Sequence, residues 1–225
     1  SGNIEYIKWD MNRSIANVYS NEDKYQGNVY YDYVLGLYDF LERLNKNYPD
    51  ILIEGCSGGG GRFDAGMLYY TPQIWCSDNT DAIDRTKIQY GTSFGYPVSA
   101  VGAHVSAVPN HQTGRSVSID TRGVVAMSGS FGYELDLGKV SEAEKNTIKE
   151  QIKTFKKEAE LIYNGLYYRL SDPYKDPVAA WEFVSKDGDD VLVNVVCLKM
   201  HGNMQPLYVR FKGLNENVTY KDVKT

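Results

Sequence analysis

The sequence lacks any long uninterrupted run of apolar residues. No stretch approaches the roughly 18 consecutive apolar residues that mark a transmembrane helix, and the N-terminal residues lack the layout of a signal peptide. The missing apolar run argues against a membrane-spanning segment. The missing leader carries little weight, because the strand count given below predicts that chain precedes residue 1.

Positive charge is also scarce. The 24 lysines and arginines are outnumbered by 29 aspartates and glutamates, for a net charge of −5, and no block of basic residues rises above the background. Nucleic acid and anionic lipid attract proteins with concentrated positive charge. We therefore expect neither nucleic acid nor a membrane surface as a main partner.

Cysteines are few and widely spaced, at Cys56, Cys76 and Cys197, with no CxxC pair. This pattern does not fit a disulfide framework or a zinc site. It is typical of reduced thiols in a cytoplasmic protein. Aromatic residues, in contrast, are abundant, with nineteen tyrosines. Tyr and Trp rings lie flat on the apolar faces of sugars, but they also fill ordinary cores, so the class of ligand stays open on this ground.

The first two-thirds of the chain alternates short apolar runs with helical patterns. A capping box, Ser141 to Glu144, begins a long helix in this part of the chain. The predicted strands are Tyr6–Asp10, 51–54, 73–76, 98–108 and 124–127, and the other predicted helices cover 30–44, 63–70 and 80–90.

Repeated strand–helix units predict a parallel sheet with helical crossovers. Polar residues cluster just after the strands, and the C-terminal ends of the strands carry the active site in a (β/α)8 TIM barrel. About five strands are visible where a barrel needs eight. We therefore predict an α/β fold, a partial barrel comprising about strands 4–8, and expect that the first three βα units precede this chain.

From about residue 166 the pattern changes to strands without intervening helices. The predicted strands are 179–185, 191–199 and 206–212, with a hairpin turn at 186–190. The sequence thus predicts a catalytic barrel half over 1–165 and the start of a C-terminal antiparallel β-sandwich domain over 166–225. No closing strand is evident, so we expect this domain to continue beyond residue 225.

Two aspartates stand at predicted strand ends, Asp10 and Asp78. Glycoside hydrolysis needs two carboxylates that flank the scissile bond. Carboxylates at the tips of nearby barrel strands can meet across the barrel mouth. Asp78 also suits a helix N-cap, because it precedes Asn79 and Thr80. Position alone leaves both interpretations open.

Three sequence motifs narrow the choice. The motifs are KWDMNR at 8–13, EGCSGGGGR at 54–62 and WCSDNTD at 75–81. In order and separation they strongly resemble the nucleophile motif, the substrate loop and the acid/base motif of glycoside hydrolase family 36, the bacterial and plant α-galactosidases. The resemblance covers residues 1–165 closely and the remainder loosely.

The resemblance implies a role for individual residues. Asp10 matches the nucleophile, which Lys8 could help to keep ionised, and Asp78 matches the acid/base. Asp81 competes for the second role, but Asp78 is preferred because it follows the strand directly. The matched substrate-binding residues are Lys8, Asn12, Cys56, Gly58, Gly59 and Trp75. The family's chemistry requires no metal and no organic cofactor.

The implied activity is the retaining hydrolysis of terminal α-1,6-linked galactose from melibiose- and raffinose-type oligosaccharides. One alternative is a galactosyltransferase of the raffinose-synthase type, which uses the same carboxylates. Another is an inactive truncated fragment that acts only as a binding or folding unit, because the family's contacts to galactose O4 and O6 come from strands before Asp10. The resemblance also implies a homo-oligomer.

Two further features have weaker functional interpretations. The glycine run 58–61 fits no phosphate-binding register, because Phe63 stands where the last glycine belongs. His104 and His111 are either substrate contacts or hydrogen-bonded loop residues. His201 is remote from both, so no metal cluster is predicted.

Overall fold

The structure is a computed structural model that describes residues 3–12, 16, 18–22, 24–203, 206–221 and 223. The chain divides into two compact units, Ser1–Asp78 and Asn79–Thr225.

The first unit is a parallel sheet with two helices. Strands β1 (Tyr6–Asp10), β2 (Leu52–Cys56) and β3 (Gln73–Ile74) lie in the order β1-β2-β3, and helices α1 (Val29–Asn47) and α2 (Ala65–Tyr70) follow β1 and β2. The register places Lys8 opposite Glu54 and Asp10 opposite Cys56. Glu54 in turn lies opposite Gln73 on β3.

The two faces of this sheet differ in chemistry because side chains alternate along each strand. One face is apolar: Ile53 and Ile74 are buried, as is Leu41 of α1, and the Trp9 ring meets the Phe40 ring of α1 at 5.3 Å between centroids. The other face is largely polar and is formed by Tyr6, Lys8, Asp10, Glu54, Cys56, Gln73 and Trp75. The candidate site lies on this second face.

The second unit contains both parallel and antiparallel pairing. Its first part runs α3 (Ala82–Thr92), β4 (Gly102–Ser106), α4 (Ile119–Ala126), β5 (Ser130–Glu134) and α5 (Glu142–Asn164), with β4 parallel to β5. Strands β6 (Leu166–Arg169), β7 (Val178–Val184) and β8 (Val191–Cys197) follow as an antiparallel sheet. Trp181 and Phe183 of β7 join Ile162 of α5 in its core.

Several predicted elements are confirmed. Strand β1 has the predicted bounds, and α1 ends at Asn47, before Tyr48. The capping box forms as predicted: Ser141 Oγ accepts from the Glu144 N–H at 3.3 Å, and Glu144 Oε2 accepts from the Ser141 N–H at 3.2 Å. Strand β3 is shorter than predicted, and β2 lies slightly later in the chain.

Two predicted strands are wrong. Residues 124–127 lie at the end of helix α4, which Ser118 caps by accepting from the Thr121 N–H. The buried residues of α4 are Ile119, Arg122, Gly123, Val125 and Ala126, a helical spacing that the apolar pair 124–125 masks. Residues 206–212 form no regular strand, and the third antiparallel strand is β6.

The observed class is therefore mixed α/β with an antiparallel sheet in its last part. The five parallel strands lie in one sheet of three and one of two within the described residues. No helix in those residues has the length and apolar character that crossing a membrane requires.

Candidate active site

Apart from Lys8, which lies in the middle of β1, the predicted site residues of the first unit lie at one edge of the β1-β2-β3 sheet. Asp10 ends β1, Cys56 ends β2, and Trp75 directly follows β3. Because parallel strands end at the same edge of a sheet, their C-terminal residues and the loops that follow are neighbours. The other predicted residues come from those loops: Asn12, Gly58, Gly59 and Asp78.

Asp10 is exposed and held by two neighbours. Asn12 Nδ2 donates to Asp10 Oδ2 at 3.3 Å, and the Cys56 thiol is hydrogen-bonded to the same carboxylate. Burial raises the pKa of the Cys56 thiol, and the Asp10 charge raises it further, while the Gly59 N–H lowers it. The thiol is therefore protonated at neutral pH and can donate to the carboxylate.

The glycine turn links the segments that carry the two aspartates. Gly58, Gly59 and Gly60 have positive φ angles of 54°, 74° and 95°, which favour glycine. The Gly58 N–H donates to Asn12 Oδ1 at 2.7 Å. A Cβ atom on Gly59 would lie 2.3 Å from the Asp78 backbone nitrogen, so only glycine allows this approach.

Asp78 is exposed and is oriented by Trp75. The indole N–H of Trp75 donates to Asp78 Oδ1 at 3.1 Å. The Lys8 ammonium lies 4.6 Å from the centroid of the same indole ring and 3.6 Å from Glu54 Oε1. One carboxylate oxygen of Asp78 is thus fixed by the indole N–H, and Lys8 contacts the same ring.

Asp81, the competing acid/base, has a structural role in the second unit. It is the N-cap of α3, and its Oδ1 accepts from the Ile83 and Asp84 N–H groups at 2.9 and 3.1 Å. The carboxylate is 2% exposed and also pairs with Thr113 and Arg115. The helix-capping role that Asp78 could have filled therefore belongs to Asp81.

The two histidines lie in the second unit. His104 Nδ1 is 3.4 Å from Glu134 Oε2, and His111 is exposed. Among the described residues, no group of three or more His, Cys, Asp or Glu side chains could hold a metal ion.

Sequence reasoning missed two side chains of this region, Glu54 and Arg62. Arg62 Nη2 donates to the Cys56 carbonyl at 3.2 Å, and Glu54 lies fully buried one pleat below Cys56. The signal for Glu54 was present, because an acidic residue within the apolar run 51–54 needs a partner in the fold.

Two known family models match the sequence of this chain. The Melibiase family model matches residues 1–165, and the model of the glycosyl hydrolase family 36 C-terminal domain matches residues 178–225. The chain therefore belongs to the melibiase family, and its C-terminal match agrees with membership of glycoside hydrolase family 36.

Curated relatives cover nearly the whole chain. It is 64% identical over 219 residues to the bifunctional α-galactosidase/sucrose kinase AgaSK of Mediterraneibacter gnavus, covering 97% of this chain and 23% of that protein. It is 51% identical over 223 residues to α-galactosidase AgaA of Geobacillus stearothermophilus, covering 98% and 31%. The chain thus spans between about a quarter and a third of the length of these relatives.

Solved structures give the same picture. The galactosidase domain of AgaSK superposes with a TM-score of 0.90 at 65% identity, covering 95% of this chain and 29% of that one. A variant of AgaA from Geobacillus stearothermophilus in complex with raffinose superposes with a TM-score of 0.93 at 50% identity, covering 95% and 30%.

Proposed function

We propose that this chain supplies both working carboxylates of a retaining α-galactosidase that releases terminal α-1,6-linked galactose from melibiose- and raffinose-type oligosaccharides. The observation that carries the proposal is the pair of exposed carboxylates, Asp10 and Asp78, at one edge of one parallel sheet. The glycine turn bridges their two segments through Asn12 and Gly59.

We expect the carboxyl groups of Asp10 and Asp78 to lie about 5–5.5 Å apart, the separation of retaining enzymes. An inverting enzyme needs a wider gap that admits a water molecule.

The reaction follows as a double displacement. Asp10 attacks the anomeric carbon while protonated Asp78 donates its proton to the leaving glycosidic oxygen. Asp78, now ionised, takes a proton from water, which releases galactose from Asp10 with net retention. Trp75 orients Asp78 through its N–H bond, and Asn12 orients Asp10.

The remaining predicted residues form the sugar-binding edge. Lys8 and Asn12 contact ring hydroxyls, and Cys56 with Gly58 and Gly59 borders the sugar near its 2-position. The close approach of Gly59 to Asp78 leaves no room for a side chain there. Trp75 borders the same pocket.

We further propose that the five parallel strands are the C-terminal half of a (β/α)8 barrel, with a domain boundary near residue 165. Supporting this boundary, β6 begins at Leu166 and opens the antiparallel sheet. A homo-oligomer in the cytoplasm is the assembly and location we propose. Free thiols at Cys56, Cys76 and Cys197 agree with a reducing compartment.

Azide rescue tests the assignment of the two aspartates. Asp10→Ala in the natural polypeptide that carries this sequence should lower the turnover of an aryl α-galactoside by at least about 10³-fold. Azide should then restore turnover and give β-galactosyl azide, because it replaces the nucleophile. Asp78→Ala should give α-galactosyl azide, because azide there attacks the galactosyl-enzyme.

The anomeric configuration of each azide is read by NMR. Asn79→Ala, a change beside Asp78, is the control for nonspecific damage and should yield no azide product. Unchanged turnover of Asp10→Ala would remove Asp10 from the mechanism. Transfer of galactose to sucrose in preference to water, measured as the product ratio at high sucrose, would replace the hydrolase with the transferase.

A further inference from the structure

A buried carboxylate lies directly beneath the proposed catalytic edge. Glu54 is 0% exposed and occupies the middle of the central strand β2. Its side chain points to the same face of the sheet as Cys56, two residues further on, and as Lys8 and Gln73 on the flanking strands. It therefore forms the layer below Asp10, Cys56 and Trp75.

The two oxygens of Glu54 have different surroundings. Oε2 accepts from the Tyr6 hydroxyl at 2.7 Å and from Gln73 Nε2, so it is held from both flanking strands. Oε1 has no hydrogen-bond donor within the described part of the chain and lies 3.6 Å from Lys8 Nζ. The Tyr6 and Gln73 donors thus fix the orientation of the Glu54 carboxylate, and Oε1 faces the Lys8 ammonium.

Charge favours the pairing of Glu54 with Lys8. A fully buried carboxylate costs much free energy unless an opposite charge accompanies it. Lys8 supplies that charge, and its side chain is 34% exposed, so the ammonium spans the buried layer and the open edge. The same ammonium lies over the Trp75 ring, whose N–H holds Asp78.

We propose that Glu54 is a positioning residue, which holds the Lys8 ammonium at the height where it meets a hydroxyl of the bound galactose. The proposal rests on the proposed function for the identity of the sugar. Without the Glu54 charge, Lys8 would keep its contact with the Trp75 ring but lose its ion pair, so its ammonium would be held less firmly. Glu54 would thereby set the affinity for the sugar ring without touching it.

Glu54→Gln in the natural polypeptide isolates this role. Glutamine keeps the size of the side chain and an oxygen acceptor for Tyr6 and Gln73, but it removes the charge that faces Lys8. We expect KM for an aryl α-galactoside, and the inhibition constant of free galactose, to rise about 10- to 100-fold with a smaller change in kcat. Loosening of the fold would instead lower the active fraction, and hence apparent kcat, at unchanged KM.

Tyr6→Phe is the matched control. It removes a hydrogen bond to Oε2 of the same carboxylate and leaves Oε1 and its charge facing Lys8. KM should stay within about twofold of the wild type. An equal rise of KM in both variants would show that loss of packing is responsible, and would overturn the proposal.

Labelling of Lys8 gives a readout that does not depend on the reaction. An amine-acylating reagent followed by peptide mass spectrometry should modify Lys8 several-fold faster in Glu54→Gln than in the wild type, with other lysines unchanged. Unchanged labelling would overturn the role of Glu54. Inactivity of the wild type towards α-galactosides would overturn the proposed function instead, while the labelling rate still decides whether Glu54 holds Lys8.

Discussion

At the scale of single residues, buried carboxylates and exposed carboxylates have different roles in this protein. Glu54 and Asp81 are both almost inaccessible, yet each is matched to a cation, Lys8 and Arg115 respectively. The exposed pair, Asp10 and Asp78, is the one proposed for chemistry. Burial thus separates carboxylates that hold the structure from carboxylates that can reach a substrate.

Asp81→Asn should separate the structural aspartate from the proposed acid/base. Asparagine can still cap α3, but the charge on Arg115 loses its partner, so we expect a loss of about 2 kcal/mol in the free energy of unfolding. KM and kcat of the folded enzyme should be unchanged. Asp78→Asn should show the reverse, with stability retained and turnover lost. Loss of turnover in correctly folded Asp81→Asn would contradict this division.

The pH dependence of that loss follows from the pKa of Asp81. Burial raises the pKa, but the Thr113 hydroxyl, the Asp84 N–H and Arg115 outweigh it, so the pKa lies below its ordinary value of 3.8. A lowered carboxyl pKa adds stability above 3.8 that disappears as the pH falls through the folded-state value. The difference between wild type and Asp81→Asn, measured by urea unfolding, should therefore shrink below pH 3.8.

At the scale of elements, the sequence predicts best where one local pattern dominates. The helix predicted over 30–44 and the capping box of α5 depend on local patterns, and both are confirmed. Residues 124–127 contain adjacent valines, which favour strands. Their helical state depends on the Ser118 cap and on contacts distant in sequence, such as Gln89 Nε2 to the Val125 carbonyl.

The strand predicted over residues 206–212 is wrong for a related reason. Their alternation predicted a strand, but the Lys212 N–H donates to the side chain of Glu182 on β7 at 2.6 Å instead of to a strand backbone. A buried acidic residue, distant in sequence, competes for the donor that a ladder would use. A local sequence pattern does not reveal such a competition, because it does not include the distant residue.

Glu182 gives a prediction for this sheet. Burial raises the pKa of Glu182. The hydrogen bond from the Lys212 N–H and the positive charge of Lys212 lower this pKa, but by a smaller amount. A raised carboxyl pKa contributes stability that is fully present below its ordinary value of 4.5 and is lost as the pH rises through the folded-state value. Glu182→Gln should therefore stabilise β6–β8 at pH 8 and have little effect at pH 4.

Hydrogen exchange of the β7 amides measures this difference directly. Glutamine keeps an oxygen acceptor for the Lys212 N–H, so the removed charge is the main change. Glu216→Gln, at an exposed site, is the control and should change exchange little at either pH. Faster exchange of β7 in Glu182→Gln at pH 8 would show that the charged carboxylate stabilises the sheet.

At the scale of the whole molecule, the motifs predicted which residues form the candidate site better than they predicted the contacts that hold those residues in place. Asp10, Cys56 and Asp78 were predicted from the three sequence motifs, and they lie at one edge of the sheet. The pair of Lys8 with Glu54 depends on the register between β1 and β2, whose paired residues are more than 40 positions apart in the sequence. Register is set by packing, which the motifs do not encode.

Strand β1 is hydrogen-bonded on one side only within the described sheet, and an open strand edge favours association with another strand. The resemblance implies that contacts to galactose O4 and O6 come from strands before β1. We therefore expect the isolated 225-residue chain to give no detectable hydrolysis of an aryl α-galactoside. Grafted into AgaA of Geobacillus stearothermophilus in place of the matching segment, it should support turnover that Asp10→Ala abolishes. Robust hydrolysis by the isolated chain would show that its own strands complete the sugar site.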